Sequence, residues 1–420
     1  MNLYNTQTLR IEPLEPKLEP IKLYACGITP YDTTHLGHAF TYTMVDVLVR
    51  YLEFQGQEVR YAQNVTDIDD DILRKVREEG GREDWHQLGN RWTRHFIRDM
   101  QALNVRPPDY YPRASDAIPE IIQAVQALVD AGLAYVSGGS VYYRVDAWQE
   151  FGKLSHLSRA EMLEIAKERG NNPDDPNKRD PLDFVLWQAQ APGEPAWDSP
   201  WGPGRPGWHI ECSTLITRCL GETIDLHSGG ADLLFPHHEC EIAQIEPVTG
   251  KKPFVRHWRH IAMVELDGEK MSKSLGNLIM IRDLLQEYSA DAIRYYLADH
   301  HYRQSWEYAA SGLKRATEAV QELVSAVSRQ GGTQEPVVDA TPFVHLFIQA
   351  MDNDLDTVKA LNVLRQFAAS IQAAADAGRS IESAQVELRK MADVFGLRLT
   401  DSEPDARVLE GWERHLKRFM

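Results

Sequence analysis

The sequence is poor in cysteine and lacks any long hydrophobic run. Four cysteines among 420 residues are too few for a disulfide framework, and they favour the reducing conditions of the cytoplasm. No stretch of eighteen apolar residues predicts a membrane-spanning helix, and the first residues, Met1 to Tyr4, do not form a charged-then-apolar targeting segment. We therefore expect a cytoplasmic protein without a membrane partner.

The sequence also lacks an excess of positive charge. Its 45 Lys and Arg stand against 62 Asp and Glu, which gives a formal net charge of −17. This overall acidity gives no support to nucleic-acid binding, although a local basic patch can lie within it. The chain is longer than a single hydrophobic core usually organises, so its length predicts two or three domains. We expect the protein to be a monomer.

Strand-like and helical patterns alternate in the first half of the chain. A strand at 21–26, a helix at about 35–55 and a strand at 58–63 form a βαβ pattern. Such units build a parallel sheet that binds its ligands at the carboxyl ends of the strands. Long helical patterns follow at about 83–103 and 115–131. The predicted fold class is therefore α/β, with inserted helical segments.

Later segments complete the predicted organisation. The stretches 222–227 and 259–266 have the pattern of further strands of the same sheet. From about Glu307 the chain is almost purely helical in pattern, which predicts a C-terminal helical bundle. The expected domains are a catalytic domain over 1–306, with an insertion at about 83–200, and a helical domain over 307–420.

Two separated motifs predict one nucleotide site. His35-Leu36-Gly37-His38 follows an apolar strand and opens a helix, where backbone N–H groups approach phosphates. Its two imidazoles can donate hydrogen bonds as negative charge moves onto a leaving pyrophosphate. Lys270 and Lys273 lie on a glycine-flanked loop and supply cations for the same triphosphate. Each motif alone is also typical of a helix start or a solvated loop, but together they predict adenylate-forming chemistry with Mg-ATP as a substrate.

Four potential metal ligands come from three separate segments, each at a strand end or near a helix start. They are Cys26, Cys212, His237 and Glu241. His237 and Glu241 lie four residues apart, so they face the same side of a helix. Two thiolates with an imidazole suit tetrahedral zinc, and a carboxylate or an external ligand can complete the site. From spacing alone, the two cysteines are equally well explained as small residues of the core.

Longer motifs resemble the class I aminoacyl-tRNA synthetases, and in particular their cysteine-specific branch. Besides the two nucleotide motifs, the segments that carry the resemblance are 26–32 (CGITPYD), 64–70 (NVTDIDD), 207–212 (GWHIEC) and 235–239 (FPHHE). The resemblance implies a Rossmann-like catalytic domain with a HUP-type parallel sheet, which activates L-cysteine as cysteinyl-adenylate. It also implies one zinc ion per chain, bound by Cys26, Cys212 and His237 and contacting the substrate thiolate directly, with Glu241 as a candidate fourth ligand.

The same resemblance assigns residues to the substrates. Those expected to line the cysteinyl-adenylate pocket are Cys26, Gly27, Ile28, Thr29, Thr41, Asn64, Val65 and Thr66. Trp208 is expected to pack beside the substrate. Those expected to hold the adenosine are Gly230, Ala231, Asp232 and Val264. Asp232 would accept hydrogen bonds from the ribose hydroxyls, although a helix cap before Leu233 is an alternative role for it.

The cysteine-specific branch has two kinds of member, which differ in the acceptor of the activated cysteine. One transfers it to the 3′ end of tRNA, and the other to the amine of glucosaminyl-inositol in mycothiol biosynthesis. Three segments, 26–35, 168–173 and 301–307, resemble the second kind. The helical region 309–420 holds 13 Lys and Arg against 16 Asp and Glu, so it lacks the positive surface expected for gripping tRNA phosphates. We therefore predict the amino sugar as the acceptor and disfavour tRNA.

Two departures from the second kind keep other acceptors open. Asn171 and Asn172 stand where its pattern has Gly-Asp. Glu241 preserves the carboxylate that serves as the fourth zinc ligand in the tRNA-charging kind. A tRNA-charging synthetase is therefore the alternative prediction, and a paralogue that uses another amine is a third.

Overall fold

The computed structural model describes residues 1–15, 17–32, 34–271, 276–400 and 405–420, without the side chain of Lys270. Within these residues the strands are Asn2–Asn5 (β1), Arg10–Pro13 (β2), Ile21–Ile28 (β3), Val59–Val65 (β4), Ala134–Ser137 (β5), Ser140–Tyr143 (β6), Phe184–Ala189 (β7), Gly204–Pro206 (β8), Ile224–Gly230 (β9), Val255–Ile261 (β10), Val264–Leu266 (β11), Glu269–Lys270 (β12) and Trp306–Glu307 (β13). The α-helices are Leu36–Phe54 (α1), Asp70–Glu78 (α2), Trp85–Ala102 (α3), Ile118–Asp130 (α4), Arg159–Glu168 (α5), Trp208–Leu220 (α6), Glu239–Thr249 (α7), Ile281–Glu287 (α8), Ala290–Ala298 (α9), Ala310–Ser328 (α10), Thr341–Met351 (α11), Thr357–Asp376 (α12), Glu382–Val394 (α13) and Ala406–Leu416 (α14).

A four-stranded parallel sheet forms the centre of the fold, in the order β10-β9-β3-β4. Leu23 of β3 pairs with Tyr61 of β4 on one side and with Leu226 of β9 on the other. β3 and β4 are buried along nearly their whole length, as expected for a parallel sheet between layers of helices. The predicted α/β fold class is confirmed. Because all four strands run the same way, their carboxyl ends share the edge where such sheets bind ligands.

Helix α1 is fixed against α9 by a buried ion-pair network. Asp46 of α1 accepts hydrogen bonds from Arg50 Nε at 3.0 Å and from Arg294 Nη2 of α9 at 2.5 Å. All three side chains are buried. Leaving one of these charges unpaired in the interior would cost several kcal/mol, about 3–5. The network therefore holds α1, which begins at the edge of the sheet, in one orientation.

The chain between β4 and α6 includes a small antiparallel sheet in the order β5-β6-β7-β8. Tyr143 of β6 stacks on Phe184 of β7 with ring centroids 4.8 Å apart. Helices α3 and α4 lie close to their predicted bounds, but the sequence patterns did not predict these four strands, which are three to six residues long and too short for a clear alternation. The strand predicted at 259–266 is also divided, since β10 ends at Ile261 and β11 begins at Val264.

The region after Glu307 is helical, as predicted. Helices α10, α12 and α13 share a continuous hydrophobic core with α1 and β3. Helix α14 packs on α3, and the indole N–H of Trp412 donates to the backbone oxygen of Val105 at 2.8 Å. Among the described residues, no helix is both long enough and apolar enough to cross a membrane.

Candidate active site

A cleft of about 940 Å³ opens at the carboxyl ends of β3, β4 and β9. The predicted site residues that line it are Cys26, Gly27, Ile28, Thr29, His35, His38, Thr41, Thr66, Trp208, Cys212, Gly230, Asp232, His237 and Val264. Asn64, Val65 and Glu241 are fully buried and do not line the cleft, and Ala231 lies between Gly230 and Asp232. Lys273 lies outside the described residues, as does the side chain of Lys270.

The two cysteines, His237 and Glu241 meet at the base of this cleft. Cys26 Sγ lies 3.9 Å from Cys212 Sγ and 3.6 Å from Glu241 Oε1. His237 Nε2 lies 3.1 Å from Glu241 Oε1, and the four ligand atoms all lie within 4.8 Å of one another. Burial of both cysteines agrees with simple core residues, but the imidazole and carboxylate packed against them do not. The donor set fits a tetrahedral zinc ion, which takes thiolate, imidazole and carboxylate ligands.

Electrostatics within the cluster favour the deprotonated, metal-binding forms of Cys212 and Glu241, whereas Cys26 and His237 must each lose a proton before they can bind a metal. A hydrogen bond from Cys26, with His237 nearby, lowers the pKa of Cys212 to about 6 despite its burial. Burial raises the pKa of Cys26 well above its usual range. Burial would lower the pKa of His237, but the neighbouring Cys212 and Glu241 raise it to about 10. Burial would raise the pKa of Glu241, but His227 and His237 lower it to about 2. Two anions, Cys212 and Glu241, are therefore held beside one protonated ring, the imidazolium of His237.

More histidines than the sequence predicted surround the cluster. His227 Nε2 lies 2.7 Å from Glu241 Oε2, and His238 Nε2 lies 3.3 Å from Cys26 Sγ. His238 Nδ1 in turn lies 2.8 Å from His260 Nε2. Burial lowers the pKa of His238 well below its usual range and that of His260 to about 3, so both are neutral. His238 follows His237 in the FPHHE segment, so its place beside the cluster could be expected from the sequence. The signal for the other two was their place in predicted strands of the central sheet.

The start of α1 forms one wall of the cleft. His35 caps the helix, and its Nδ1 accepts a hydrogen bond from Gly37 N at 3.1 Å. The rings of His35 and His38 stack with centroids 3.9 Å apart. The backbone N of Leu36 donates to Ile279 O at 2.8 Å. This bond joins the histidine motif directly to the chain that follows the predicted lysine loop.

Gly27 is enclosed by β4 at the point where β3 enters the cleft. Its backbone N donates to Asn64 Oδ1 at 2.7 Å, and Asn64 Nδ2 donates to Thr66 Oγ1 at 3.1 Å. The pairing of β3 with β4 shifts register between Ala25 and Ile28. A β-carbon at position 27 would lie only 1.6 Å from the backbone oxygen of Asn64. Asn64 thus acts by holding Gly27 and Thr66, while these two residues face the cleft.

Trp208 and Asp232 also line the cleft. Trp208, the first residue of α6, stacks on the His237 ring with centroids 4.5 Å apart. Asp232 lies within the short 3₁₀ turn Ala231–Leu233, whose N-cap is Gly230, so the alternative role as a helix cap is not supported. Asp232 Oδ2 lies 3.4 Å from Arg169 Nη1, which comes from the end of α5. Sequence reasoning did not assign Arg169 to the site.

Two family models match the chain. The model described as "tRNA synthetases class I (C) catalytic domain" matches residues 11–318. The "DALR domain" model matches residues 346–400, within the C-terminal helices. Together they cover most of the sheet, the cleft and the helical region.

Curated proteins and solved structures agree with these matches. Cysteine–tRNA ligase from Dehalococcoides mccartyi is 43% identical over 409 residues, which are 96% of this chain and 88% of that protein. Cysteine–tRNA ligase from Alkalilimnicola ehrlichii is 43% identical over 420 residues, covering 98% and 88%. Among solved structures, Mycobacterium tuberculosis methionyl-tRNA synthetase with methionyl-adenylate shares the fold at 16% identity, with a TM-score of 0.65 over 90% of this chain and 89% of that one.

The prediction of glucosaminyl-inositol as the acceptor, and with it a role in mycothiol biosynthesis, is wrong. It depended on three short segments and on the charge of the helical region, whereas relatives that match nearly the whole chain are cysteine–tRNA ligases. The argument against tRNA as the acceptor is wrong for a related reason. The net charge of one region says nothing about a basic surface on another region. The chain is an ATP-dependent ligase, and it belongs to the class I tRNA synthetases with the (C) type of catalytic domain.

Proposed function

We propose that this protein activates L-cysteine with ATP and transfers the cysteinyl group to the 3′ end of tRNA. The observation that carries the proposal is the 43% identity to cysteine–tRNA ligases across nearly the whole chain. The position of Glu241 supports it, because its carboxylate lies among the sulfur and imidazole donors at the base of the cleft. The resemblance described above associates that carboxylate with the tRNA-charging kind.

In the first step, a carboxylate oxygen of cysteine attacks the α-phosphorus of ATP. The bond from that phosphorus to the bridging oxygen breaks, and pyrophosphate leaves. His35 and His38 stabilise the charge that develops on the leaving phosphates, and the stacking of their rings and the cap at Gly37 limit their motion. Lys270 and Lys273 are the proposed cations for the same phosphates. No protein nucleophile is required, since positioning and charge stabilisation lower the barrier.

We propose that Cys26, Cys212, His237 and Glu241 bind one zinc ion. When bound, zinc supplies a soft Lewis acid that prefers the substrate thiolate to the hydroxyl of serine. The protein's part is to hold Cys212 and Glu241 as anions and to exclude water by burial. Trp208, stacked on His237, covers the cluster from the side of the cleft. Selection by one metal–sulfur contact would remove the need for a separate editing site.

In the second step, a ribose hydroxyl at the 3′ end of tRNA attacks the carbonyl carbon of cysteinyl-adenylate. An ester bond forms, the mixed anhydride bond breaks, and AMP leaves. Gly27 and Thr66 border the place where the adenylate lies, and Asp232 and Val264 border the proposed adenosine site. We also propose that residues 1–306 perform both steps and that the helices of 307–420 support them.

The proposal is tested by measuring the two steps separately. Cysteine-dependent exchange of pyrophosphate with ATP reports activation alone, and radiolabelled cysteine in acid-insoluble tRNA reports transfer. We expect both with cysteine and neither with serine. Exchange without any transfer to tRNA would contradict the proposed acceptor, and transfer of serine would contradict the proposed role of the metal cluster.

A further inference from the structure

Helix α3 carries a basic stripe that the reaction described above does not use. Arg91, Arg94, His95 and Arg98 are spaced by three or four residues, so they lie on one face of the helix. The segment 85–98 contains no Asp or Glu. In a chain of net charge −17, such a segment produces a local positive potential that the overall count conceals.

The charges at one end of the stripe form no close ion pair within the described residues, and the nearby Asp99 carboxyl, whose pKa burial raises and Arg282 lowers, is half-buried. Arg91 is paired with Glu79 at 2.8 Å and with Glu83 at 2.9 Å. Arg98 and Arg282 are exposed, and within the described parts of the chain neither forms an ion pair. They therefore remain available for an external anion.

That end of the stripe adjoins the cleft. Arg282 lies in the first turn of α8, and the preceding backbone N of Ile281 donates to Thr34 O at 3.2 Å, one residue before His35. Arg282 and Arg98 both lie close enough to His95 to lower its pKa, together with burial. The stripe on α3 and Arg282 therefore lie near each other, and the bond from Ile281 to Thr34 places Arg282 close to the start of α1.

Aromatic rings are interleaved with these arginines. The Trp92 and His95 ring centroids are 5.2 Å apart, and the Arg91 guanidinium lies 4.8 Å from the Trp92 ring centroid. The indole nitrogen of Trp92 has no hydrogen-bond partner within the described residues. Arginine beside half-buried aromatic rings is typical of surfaces that contact nucleic-acid backbones and unpaired bases.

We propose that Arg91, Arg94, His95, Arg98 and Arg282 form a contact surface for the sugar–phosphate backbone of tRNA near its 3′ end. This inference rests on the proposed function, because it assumes a tRNA substrate. The guanidinium groups of Arg98 and Arg282 neutralise phosphates. A tRNA strand bound along the stripe would reach the wall of the cleft that carries His35.

The test is the double variant Arg98→Gln/Arg282→Gln, which removes two exposed charges. A matched control, Arg10→Gln/Lys251→Gln, removes two exposed charges elsewhere; Lys251 precedes β10 at the amino end of the sheet, opposite the cleft. We expect the KM for tRNA in cysteine charging to rise roughly tenfold in the first variant, and the slope of log affinity against log salt to fall by about two. Cysteine-dependent pyrophosphate exchange should equal that of the wild type in both variants, and Arg98→Lys/Arg282→Lys should restore charging.

The possible results separate this inference from the proposed function. If the wild type charges tRNA but the Gln variant has an unchanged KM and salt slope, the contact surface is refuted and the function stands. If exchange falls in the Gln variant, the arginines act on activation and the inference is also refuted. If the wild type shows exchange but never charges tRNA, the proposed function fails and the contact surface fails with it.

Discussion

The substitution Gly27→Ala tests how tightly β3 and β4 close around the proposed adenylate pocket. The new β-carbon would lie 1.6 Å from Asn64 O, whereas ordinary contacts begin at 3.4 Å, so the two strands would have to separate by about 2 Å. Overpacking of this kind costs about 1–3 kcal/mol. Loss of the 2.7 Å bond from Gly27 N to Asn64 Oδ1 adds about 1 kcal/mol.

Activity should suffer more than stability, because Thr66 is held by the same Asn64. A displacement of about 1 Å in a positioned substrate costs about 100-fold in rate. We therefore expect cysteine-dependent pyrophosphate exchange to fall at least about 100-fold, and urea unfolding to show a loss of about 2–4 kcal/mol.

The control is Gly89→Ala, the same chemical change inside α3. Its β-carbon would meet neighbours at 3.8 Å, so the extra methyl group fits and the helix gains up to about 1 kcal/mol. Wild-type exchange in Gly27→Ala, with wild-type stability, would refute the argument that close approach at Gly27 shapes the site.

Three further predictions concern the metal, the lysine loop and the helix network. Cys212→Ser should lose most of its zinc, measured by plasma mass spectrometry, together with its selectivity for cysteine over serine, because one of two sulfur ligands is removed; full zinc content would contradict the proposed ligand set. Lys273→Ala should depress pyrophosphate exchange without changing zinc content, since the proposed contact is with phosphates alone; exchange at the wild-type rate would remove the lysine from the mechanism. Asp46→Asn should lower the free energy of unfolding by about 3–5 kcal/mol at neutral pH, because Arg50 and Arg294 lose their buried partner. Burial would raise the pKa of Asp46, but the two arginines hold it below its usual value. The stabilisation by this carboxylate is therefore complete above about pH 4 and is lost as the pH falls further. A difference in unfolding free energy between the variant and the wild type that stays constant down to acid pH would contradict this pH dependence.

The sequence predicts the parts of the fold that have long, regular patterns. The strand–helix–strand unit of β3, α1 and β4 is recognisable because β3 is mainly apolar, β4 begins with alternating apolar residues, and α1 spans five turns between them. The same pattern predicts a parallel sheet, in which the carboxyl ends of β3 and β9 lie at one edge. The contact of Cys26 with residues far along the chain could therefore be expected. The short antiparallel strands β5 to β8 could not, because three to six residues carry too little periodicity.

Contacts that depend on side-chain packing could not be predicted from the sequence. Nothing in the spacing of His227 and His260 indicates that one supports Glu241 and the other His238. Arg169 reaches Asp232 from the end of α5, 63 residues earlier in the sequence, and a contact over that separation has no local sequence signal. The acceptor was mistaken because three short segments and a charge count over the C-terminal helices were given more weight than the rest of the chain, which matches cysteine–tRNA ligases.

The most direct test of the central claim offers both acceptors to the enzyme in one reaction. Purified protein would be incubated with ATP, cysteine, cysteine-specific tRNA and glucosaminyl-inositol, and the products would be identified by intact mass. We predict tRNA whose mass has increased by one cysteinyl group, together with AMP and pyrophosphate, and an unmodified amino sugar. A cysteinyl amide of glucosaminyl-inositol with uncharged tRNA would contradict the account.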